Sequence, residues 1–431
     1  MQIMKLDNVN FKQRFSSKNI STLRNAFEKK IKQYPKDYEY IKTLGKAINL
    51  PASELYRLNS IIGAEELEAL LKGIDKSNFV PPQNVSAKQL SKKEISQFAE
   101  SGFHVNLHMH TTNSDGRMTI GSLLKQAADY SNIVKPFGQA YNFIIAITDH
   151  DTTDGAKRAL KLIAKKPEKY KNLGVVLGAE LSSAFKDTEM LAKPRSYELV
   201  AYSINPFESK MNKQLAILRQ NRKVLSKQVI SEANELYPQY NFSYKEACQE
   251  SKNPKKGIDG FLYSLAEYLH KKSKGIDGIK EISLKYLPKI ETKKDKISNS
   301  TESLFANLGK FGFLGVAHPG KIYLGGGRIS EDFIKKCKEQ DKSAGKVLME
   351  RFFDYLKQIG KDRFKAVEIN YQAYEGSLGE AQAILNGRAE TNKDVMGSVN
   401  WLKNFIEFAK KHQLLGTGGL DTHSENPFLK H

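Results

Sequence analysis

The chain has 431 residues, of which 40% are hydrophobic and 27% are charged, and its formal net charge is +20. This length predicts two or three domains with a sizeable core. No apolar run approaches the roughly 20 residues that span a bilayer, so we expect no membrane-spanning helix. The N-terminus has no apolar signal-peptide core, and Cys248 and Cys337 form no disulfide framework, which together predict a cytoplasmic protein.

The positive charge has two interpretations. A field of this sign attracts polyanions such as nucleic acids or phosphorylated substrates. However, lysines far outnumber arginines, which a lysine-biased proteome explains equally well. Charge alone therefore does not establish an anionic partner.

Residues 1–100 are predicted to form a helical accessory domain. Four stretches place apolar residues three and four positions apart, namely LRNAFEKKIKQY, YEYIKTLGKAI, SELYRLNSII and AEELEALLKGI. Asn-Phe-Val-Pro-Pro at 78–82 interrupts this pattern. We find no residues in this segment that indicate a particular chemistry.

Short apolar runs of strand length begin at Phe103 and alternate with helical stretches. The runs are FHVNLHM, FIIAITD, GVVLGAE, YELVAYS, FLGVAHP, AVEINY and LLGTGGLD. Alternation of this kind predicts an α/β fold with a parallel sheet. Seven strands favour a closed TIM-like barrel over an open sheet, with its two parts in residues 101–205 and 306–431.

Residues 206–305 interrupt the alternation and are predicted to form a helical, basic insertion. Within 208–300 there are 19 Lys/Arg and 11 Asp/Glu, a net charge of +8. An insertion of this charge could close over the barrel mouth as a lid that selects anionic substrates.

Histidines and carboxylates follow the predicted strands. His108 and His110 are two positions apart, so in a strand their side chains point the same way. Four later strands also end in metal-ligand residue types, which are His150, Glu180, His318, Asp421 and His423. The carboxyl ends of barrel strands converge on one site, so these residues, with Asp115, predict a metal centre.

Mixed histidine and carboxylate ligands suit Zn²⁺, Mn²⁺ or Fe²⁺. A site with this many candidate ligands needs at least two ions, and a carboxylate such as Glu180 could bridge them. Asp151, next to His150, and His318 are candidates to move protons or to orient water.

Five motifs, HMHTTNSDG, AITDHD, GAELSS, VAHPGK and GLDTH, resemble in this order those of the PHP (polymerase and histidinol phosphatase) family. The resemblance covers roughly residues 103–431. Within the family it is most similar to the nucleotide phosphatases and ribonuclease AM-like 5′→3′ exonucleases. It implies a distorted seven-stranded barrel with a two- or three-metal site.

The resemblance also implies a grouping of the ligands. His108, His110, Glu180 and Asp421 resemble one metal cluster; Asp115, His150 and His423 resemble the ligands of a further ion, and His318 resembles a late-strand ligand. Two positions depart from the family pattern, because Glu198 and Tyr374 stand where histidines are usual. Glu198 could still bind a hard cation.

The expected activity is metal-dependent hydrolysis of a phosphate ester of a nucleotide or a short 5′-phosphorylated single-stranded RNA, with hydroxide as the nucleophile. Two alternatives stay open: a phosphatase for a small metabolite such as histidinol phosphate, and an inactive barrel that binds nucleic acid. The cations predicted to hold the phosphate are Arg117, Lys321, Arg219 and Arg222. We expect neither a membrane nor an obligate protein partner.

Overall fold

The fold was described from a computed structural model of the chain. It describes residues 56, 58–74, 76–79, 92–93, 96, 100, 102–135, 141–185, 187–192, 195–250, 262–274, 301–307, 312–319, 329–371 and 401–424.

Strands and helices alternate through most of these residues. The strands are β1 (Val105–Asn106), β2 (Phe143–Ile147), β3 (Leu173–Leu177), β4 (Ala179–Phe185), β5 (Arg195–Tyr202), β6 (Phe313–Val316), β7 (Phe364–Tyr371) and β8 (Leu415–Gly419). All seven runs expected to form strands do so, which confirms a mixed α/β fold with parallel strands.

The strands form a three-stranded sheet in the order β1-β2-β3 and a five-stranded sheet in the order β4-β5-β6-β7-β8. The expected parallel pairing holds within the first sheet and from β6 to β8. However, β5 runs antiparallel to both of its neighbours. Residues 186–194 alone connect β4 to β5, which is too short for the crossover that a parallel pair needs.

Hydrogen bonds join the two sheets on both sides. The backbone N–H of Leu107 donates to Gly418 O at 3.0 Å beside β1 and β8, and Glu180 N–H donates to Thr148 O at 3.1 Å beside β2 and β4. Only Gly178 separates β3 from β4, and a Cβ there would lie 2.6 Å from Ala201 O. The chain thus bends where a strand was predicted to continue, giving eight described strands instead of seven. A single closed barrel stays a prediction.

The helices confirm the predicted stretch AEELEALLKGI and the helical stretches expected between the strands and in the insertion, where these fall on described residues. They are α1 (Ala64–Gly73), α2 (Ile120–Ser131), α3 (Asp154–Lys165), α4 (Ser209–Leu236), α5 (Tyr244–Glu250), α6 (Leu262–Lys272), α7 (Thr301–Asn307), α8 (Glu331–Glu339), α9 (Ala344–Gly360) and α10 (Trp401–Lys411). None of the helices in the described ranges is long and apolar enough to cross a bilayer.

Side chains alternate between two cores along the strands. In β2, Ile144 and Ala146 pack in an inner cluster with Val105, whereas Phe143 and Ile145 pack beneath α2 and α3. This period of two is what a strand covered on both faces requires.

The segment 56–79 belongs to these cores. Its Ser60 and Ile62 form backbone hydrogen bonds with Val175 of β3 at 2.6 and 3.0 Å. Apolar side chains of the segment are buried in the two clusters, namely Leu58, Ile61, Ile62, Leu67, Leu71 and Phe79. The helix expected in SELYRLNSII is wrong for residues 58–61, because 58–60 form a turn and Ile61 forms a parallel bridge with Val175 of β3. The domain boundary at residue 100 stays a prediction, and the two earlier helical stretches lie outside the described residues.

The insertion has a small core of its own. Side chains of α4, α5 and α6 form it with Phe242, and its buried members are Val229, Ile230, Ala233, Phe242, Ala247, Leu265, Tyr268 and Leu269. Tyr237, Tyr240 and Tyr244 pack against this cluster. These aromatic residues therefore serve the packing of the insertion.

Candidate metal centre

Four buried side chains meet just beyond β1, β3 and β8. His108 Nε2 lies 3.2 Å from Glu180 Oε2 and 3.5 Å from Asp421 Oδ1. His110 Nε2 lies 3.2 and 3.1 Å from the same two oxygens. These four residues could hold one ion, because each offers a ligand atom and these atoms all lie within 4.8 Å of one another.

A second group adjoins the first at Asp115. His423 Nε2 lies 3.2 Å from Asp115 Oδ1, and His150 Nε2 lies 3.6 Å from Asp115 Oδ2. His110 Nδ1 is also 3.6 Å from Asp115. A neutral imidazole has one nitrogen lone pair to give. If His110 uses Nε2 in the first group, Asp115, His150 and His423 remain for a second ion.

Glu198 brings together a third group. His150, Glu180 and Glu198 could hold an ion, and His318 Nε2 lies 3.1 Å from Glu180 Oε1 and 3.3 Å from Glu198 Oε2. Glu180 is within 3.2 Å of four imidazoles, those of His108, His110, His150 and His318. The structure therefore brings all nine predicted metal ligands into one cluster, in which Glu180 contacts four of the others.

Four buried atoms at the centre of this cluster have no partner in hydrogen-bonding geometry, although oppositely charged groups face them at 2.9–3.6 Å. They are His108 Nε2, His110 Nε2, Asp115 Oδ1 and Glu180 Oε2. Unpaired nitrogen and carboxylate atoms that converge on one space have the donor chemistry of a divalent-metal site, so the residues fit such ions.

Strained backbone occurs at two residues of the cluster and at one neighbouring residue. His318 and Asp421 have φ angles of 25° and 49°, and Asp151, next to the candidate ligand His150, has a φ angle of 46°. Residues other than glycine rarely occupy this left-handed region, and such strain is concentrated at functional sites. Each of these residues comes just after a strand, where the chain turns sharply to place a ligand over the sheet.

Opposite charges hold the metal-free cluster together. Burial disfavours the charged form of His150, but the nearby Glu180 and Asp115 carboxylates outweigh burial and raise its pKa to about 10. Burial raises the pKa of the Glu180 and Asp115 carboxyls. The nearby imidazoles outweigh burial and hold the pKa of both carboxyls below the usual range. Without a metal ion, protonated imidazoles therefore supply the positive charge that balances these carboxylates.

This electrostatic arrangement predicts the pH dependence of stability. The pKa of His150 is raised on folding, so its contribution is complete below about pH 6.5 and is lost as the pH rises towards 10. The free energy of unfolding of chelator-treated protein should fall from pH 6 to 8, at up to about 1.4 kcal/mol per pH unit for each proton lost. Urea unfolding measures it.

The Mn²⁺-loaded protein should behave in the opposite way, because the metal competes with protons for the same nitrogens. His150→Gln is the control, since it removes one of the titrating groups. The stability of the metal-free variant should therefore fall less steeply with pH than that of the metal-free wild type, and equal pH dependence of the two would contradict the prediction.

Of the two predicted catalytic residues, Asp151 is hydrogen-bonded to Ser182, whereas His318 faces the ligand cluster. Asp151 is buried, and its carboxylate accepts hydrogen bonds from Ser182 N–H at 2.8 Å and Ser182 Oγ at 2.9 Å. It thus ties the loop after β2 to β4. His318 faces the cluster through Nε2, near Glu180 and Glu198.

The predicted phosphate-binding cations are spread over several elements. The Arg219 guanidinium on α4 donates to the backbone O of Asp151 at 2.7 Å, beside the candidate ligand His150. The exposed Arg117 lies two residues from Asp115, and its backbone N–H donates to His423 O at 3.0 Å. Arg222 lies within α4, while Lys321 and Tyr374 lie outside the described residues.

Two buried polar residues behind the ligands were not predicted. Asn106 Oδ1 accepts from Leu420 N–H at 3.1 Å and fixes the approach to Asp421. Glu368 of β7 contacts both His108 and His318. In the sequence, Asn106 is a single polar residue in the apolar run VNL, and Glu368 is one in AVEI. A buried polar residue within a strand was the signal that could have identified them.

Asp149 organises the loop that carries Asp115. Its carboxylate accepts hydrogen bonds from Thr111 N–H, Thr111 Oγ1 and Ser114 Oγ at 2.7–2.8 Å. A Cβ at Gly155 would lie 1.8 Å from Asp149 Oδ2. The carboxylate therefore occupies space that only glycine leaves open.

Gly155→Ala should displace Asp149 and loosen the Asp115 loop. We expect a stability loss of about 1–3 kcal/mol, as for overpacked sites, and metal affinity about 10-fold lower. Gly121→Ala is the matched control: Gly121 is also the second residue of its helix, and the nearest atom to its Cβ would be 3.9 Å away. Urea unfolding and metal titration of both variants measure these two effects. Equal stability and equal metal affinity of the two variants would refute the role of Gly155.

Comparisons with known proteins give little further information. No family model matches the chain, and no curated protein matches it. A structure from Bifidobacterium adolescentis, provisionally described as a metal-dependent phosphoesterase, is 19% identical with a TM-score of 0.46, covering 75% of this chain and 88% of that one. An amidohydrolase from Chromobacterium violaceum with bound sulfate and no metal is 19% identical with a TM-score of 0.48, covering 76% and 90%. Similarity at this level carries no functional argument, so function is inferred from the site.

Proposed function

We propose that the chain is a metal-dependent phosphoesterase of the PHP type. The observation that carries this proposal is the convergence of nine histidine and carboxylate side chains with unpaired, buried ligand atoms at the centre. The proposal includes a distorted seven-stranded barrel, in which β3 and β4 count as one bent strand. It is supported by the hydrogen bonds that join the two sheets on both sides.

Two or three divalent ions would occupy this centre. His108, His110, Glu180 and Asp421 would hold one, Asp115, His150 and His423 a second, and Glu180, Glu198 and His318 a third. Bound ions of this kind lower the pKa of water and neutralise charge on phosphate oxygens. Glu198 in place of an imidazole favours Mn²⁺ or Fe²⁺ over Zn²⁺ at the third position, because carboxylates are harder ligands.

The chain's own residues prepare the site for an anionic substrate. Burial of His108, His110 and Glu180 keeps water away from the ligands, which strengthens electrostatic interactions there. His150 and Glu198 lie at the more exposed rim, with side chains 12% and 30% exposed. Substrate would therefore enter from the side of His150 and Glu198, where Arg219 also lies.

The charge of α4 supports a nucleotide or RNA substrate. From Ser209 to Ser231 the helix has no acidic residue and carries Lys210, Lys213, Arg219, Arg222, Lys223 and Lys227. Its first half packs on the main core through Met211, and its second half packs in the insertion through Val229. The helix is thus a rigid basic element that extends from the site rim, and it could follow a phosphate backbone.

The test is phosphate or nucleotide release by the Mn²⁺-loaded protein from AMP, a 3′,5′-bisphosphate nucleotide, 5′-phosphorylated short RNA and DNA, and histidinol phosphate. We expect turnover of a nucleotide or RNA and its loss in an Asp421→Ala/His423→Ala variant. Turnover of histidinol phosphate alone would favour the small-metabolite phosphatase. RNA binding without turnover of any substrate would favour the inactive binding module.

A charge-reversal pair tests the role of α4. Lys213→Glu/Lys227→Glu changes two exposed lysines of this helix, and Lys335→Glu/Lys336→Glu makes the same change in charge on α8. We expect only the α4 variant to lower kcat/KM for RNA, by about 10-fold or more at low salt, because phosphate contacts are salt-dependent. Equal effects of both pairs would mean that net charge alone matters.

A further inference from the structure

Glu368 lies behind the metal centre and belongs to none of the three ligand groups. It is on β7, 1% exposed, and pairs in register with Thr417 of β8. Its Oε1 lies 3.2 Å from His108 Nδ1, while the other ring nitrogen of His108, Nε2, lies 3.2 Å from Glu180 Oε2. The His108 imidazole therefore stands between Glu368 on one side and the cluster on the other.

The second oxygen of Glu368 reaches another ligand residue. Oε2 accepts the backbone N–H of His318 at 2.7 Å. His318 has the left-handed φ of 25°, so its backbone conformation needs support from its surroundings. One buried carboxylate thus contacts the ligand residue after β1 and the ligand residue after β6.

We propose that Glu368 is a positioning residue that prepares both His108 and His318 for metal binding; this rests on the metal centre proposed above. A carboxylate at Nδ1 keeps the proton of a neutral imidazole on that nitrogen, and the lone pair of Nε2 is then directed at the ion. The same carboxylate orients the ring and increases the basicity of the ligand nitrogen. Its second oxygen holds the turn that places His318.

Glutamine at this position is a sharp test because it keeps the shape and loses one acceptor. An amide presents one oxygen and one NH₂ group. If its oxygen faces His108, its NH₂ group meets the N–H of His318, and two donors oppose each other. If its NH₂ group faces His108 Nδ1, it favours the tautomer with the proton on Nε2, which cannot bind the ion. Neither orientation serves both ligands.

The experiment measures metal binding directly. Wild type, Glu368→Gln, Glu368→Asp and the exposed control Glu339→Gln are treated with chelator and titrated with Mn²⁺ in a calorimeter, and the visible absorption of Co²⁺-loaded protein is recorded. We expect Glu368→Gln to weaken the affinity for one ion about 10- to 100-fold and to change the Co²⁺ bands. Glu368→Asp should recover part of the affinity, and Glu339→Gln should match wild type.

Mn²⁺ titration of His108→Ala, with and without Glu368→Gln, distinguishes a positioning role of Glu368 from general destabilisation. Without the His108 ring the glutamine oxygen can accept the His318 N–H, so adding Glu368→Gln to that variant should change the affinity by less than about threefold, because coupled residues are not additive. Full additivity would overturn the proposal, as would wild-type affinity and Co²⁺ bands in Glu368→Gln. If Glu368→Gln does not fold, Glu368→Asp is used instead. Wild-type Mn²⁺ affinity and wild-type Co²⁺ bands in that variant would overturn the proposal. Failure of the wild type itself to bind Mn²⁺ would instead refute the metal centre.

Discussion

Replacing Glu180 with glutamine should abolish hydrolysis and disrupt the whole metal centre. Its carboxylate is fully buried and lies within 3.2 Å of the His108, His110, His150 and His318 imidazoles. An amide oxygen cannot bridge ions as a carboxylate does, so more than one ion would be lost. We expect a fall in kcat/KM of at least roughly 10³-fold, as for removal of a main electrostatic element of a site.

The same substitution should destabilise the metal-free protein. The pKa values of His108 and His150 are raised by Glu180 against the effect of burial. Removing this carboxylate leaves these buried imidazoles without their largest counter-charge, and breaking a buried ion pair costs up to about 3–5 kcal/mol. Urea unfolding at pH 6, where these histidines are protonated, measures the loss.

Glu198→Gln is the matched control for Glu180→Gln. Glu198 is 30% exposed, and the cluster residues nearest to its carboxylate are His318 and His150, at 3.3 and 3.7 Å. We expect it to reduce activity and metal content less than Glu180→Gln, because it would affect only the third ion. Equal effects of the two variants, or full metal content in Glu180→Gln, would contradict a bridging role for Glu180.

Deleting residues 1–79 should leave the rest of the chain unable to fold. Six buried apolar side chains come from the described residues of this segment, namely Leu58, Ile61, Ile62, Leu67, Leu71 and Phe79. Each contributes about 1.5–3 kcal/mol on burial, so their sum is comparable with the whole free energy of unfolding of a typical domain, about 5–15 kcal/mol. The deletion would also expose the edge of β3 that Ser60 and Ile62 cover.

A single substitution tests this role in the full chain. Ile62 is fully buried, and its Cδ1 lies 2.5 Å from where a Cβ at Gly174 would be. Ile62→Ala should lower the free energy of unfolding by about 2–5 kcal/mol, whereas the exposed Ala69→Ser should change it by less than about 0.5 kcal/mol. A soluble 80–431 fragment with cooperative unfolding and bound metal would show that the segment is dispensable.

The residues of the metal centre could be predicted from the sequence because strand geometry is local. His108 and His110 share a face through the two-residue period of a strand, and the carboxyl ends of neighbouring strands meet. His150, Glu180 and Asp421 follow from the same argument applied to other strands. Glu198 was predicted only as a possible ligand, because it stands where a histidine is usual; the antiparallel pairing of β5 with β4 places it near Glu180.

The features that could not be predicted depend on contacts between distant parts of the chain. Glu368 and His108 are 260 positions apart, and the register of β7 beside β6 and β8 decides that they meet. Residues 58–61 have helical spacing but form a turn that ends in a bridge to β3, because pairing of Ile61 with Val175 and burial of Ile61 outweigh local propensity. The bend at Gly178 likewise depends on Ala201 of β5.

A titration of chelator-treated protein with Mn²⁺ tests the central claim most directly. Calorimetry should show at least two ions bound per chain in the wild type, with release of protons from the cluster histidines. The Asp421→Ala/His423→Ala variant should lose this binding while keeping its fold by circular dichroism. Absence of binding in the wild type, or equal binding in the variant, would contradict a metal centre at the carboxyl ends of these strands.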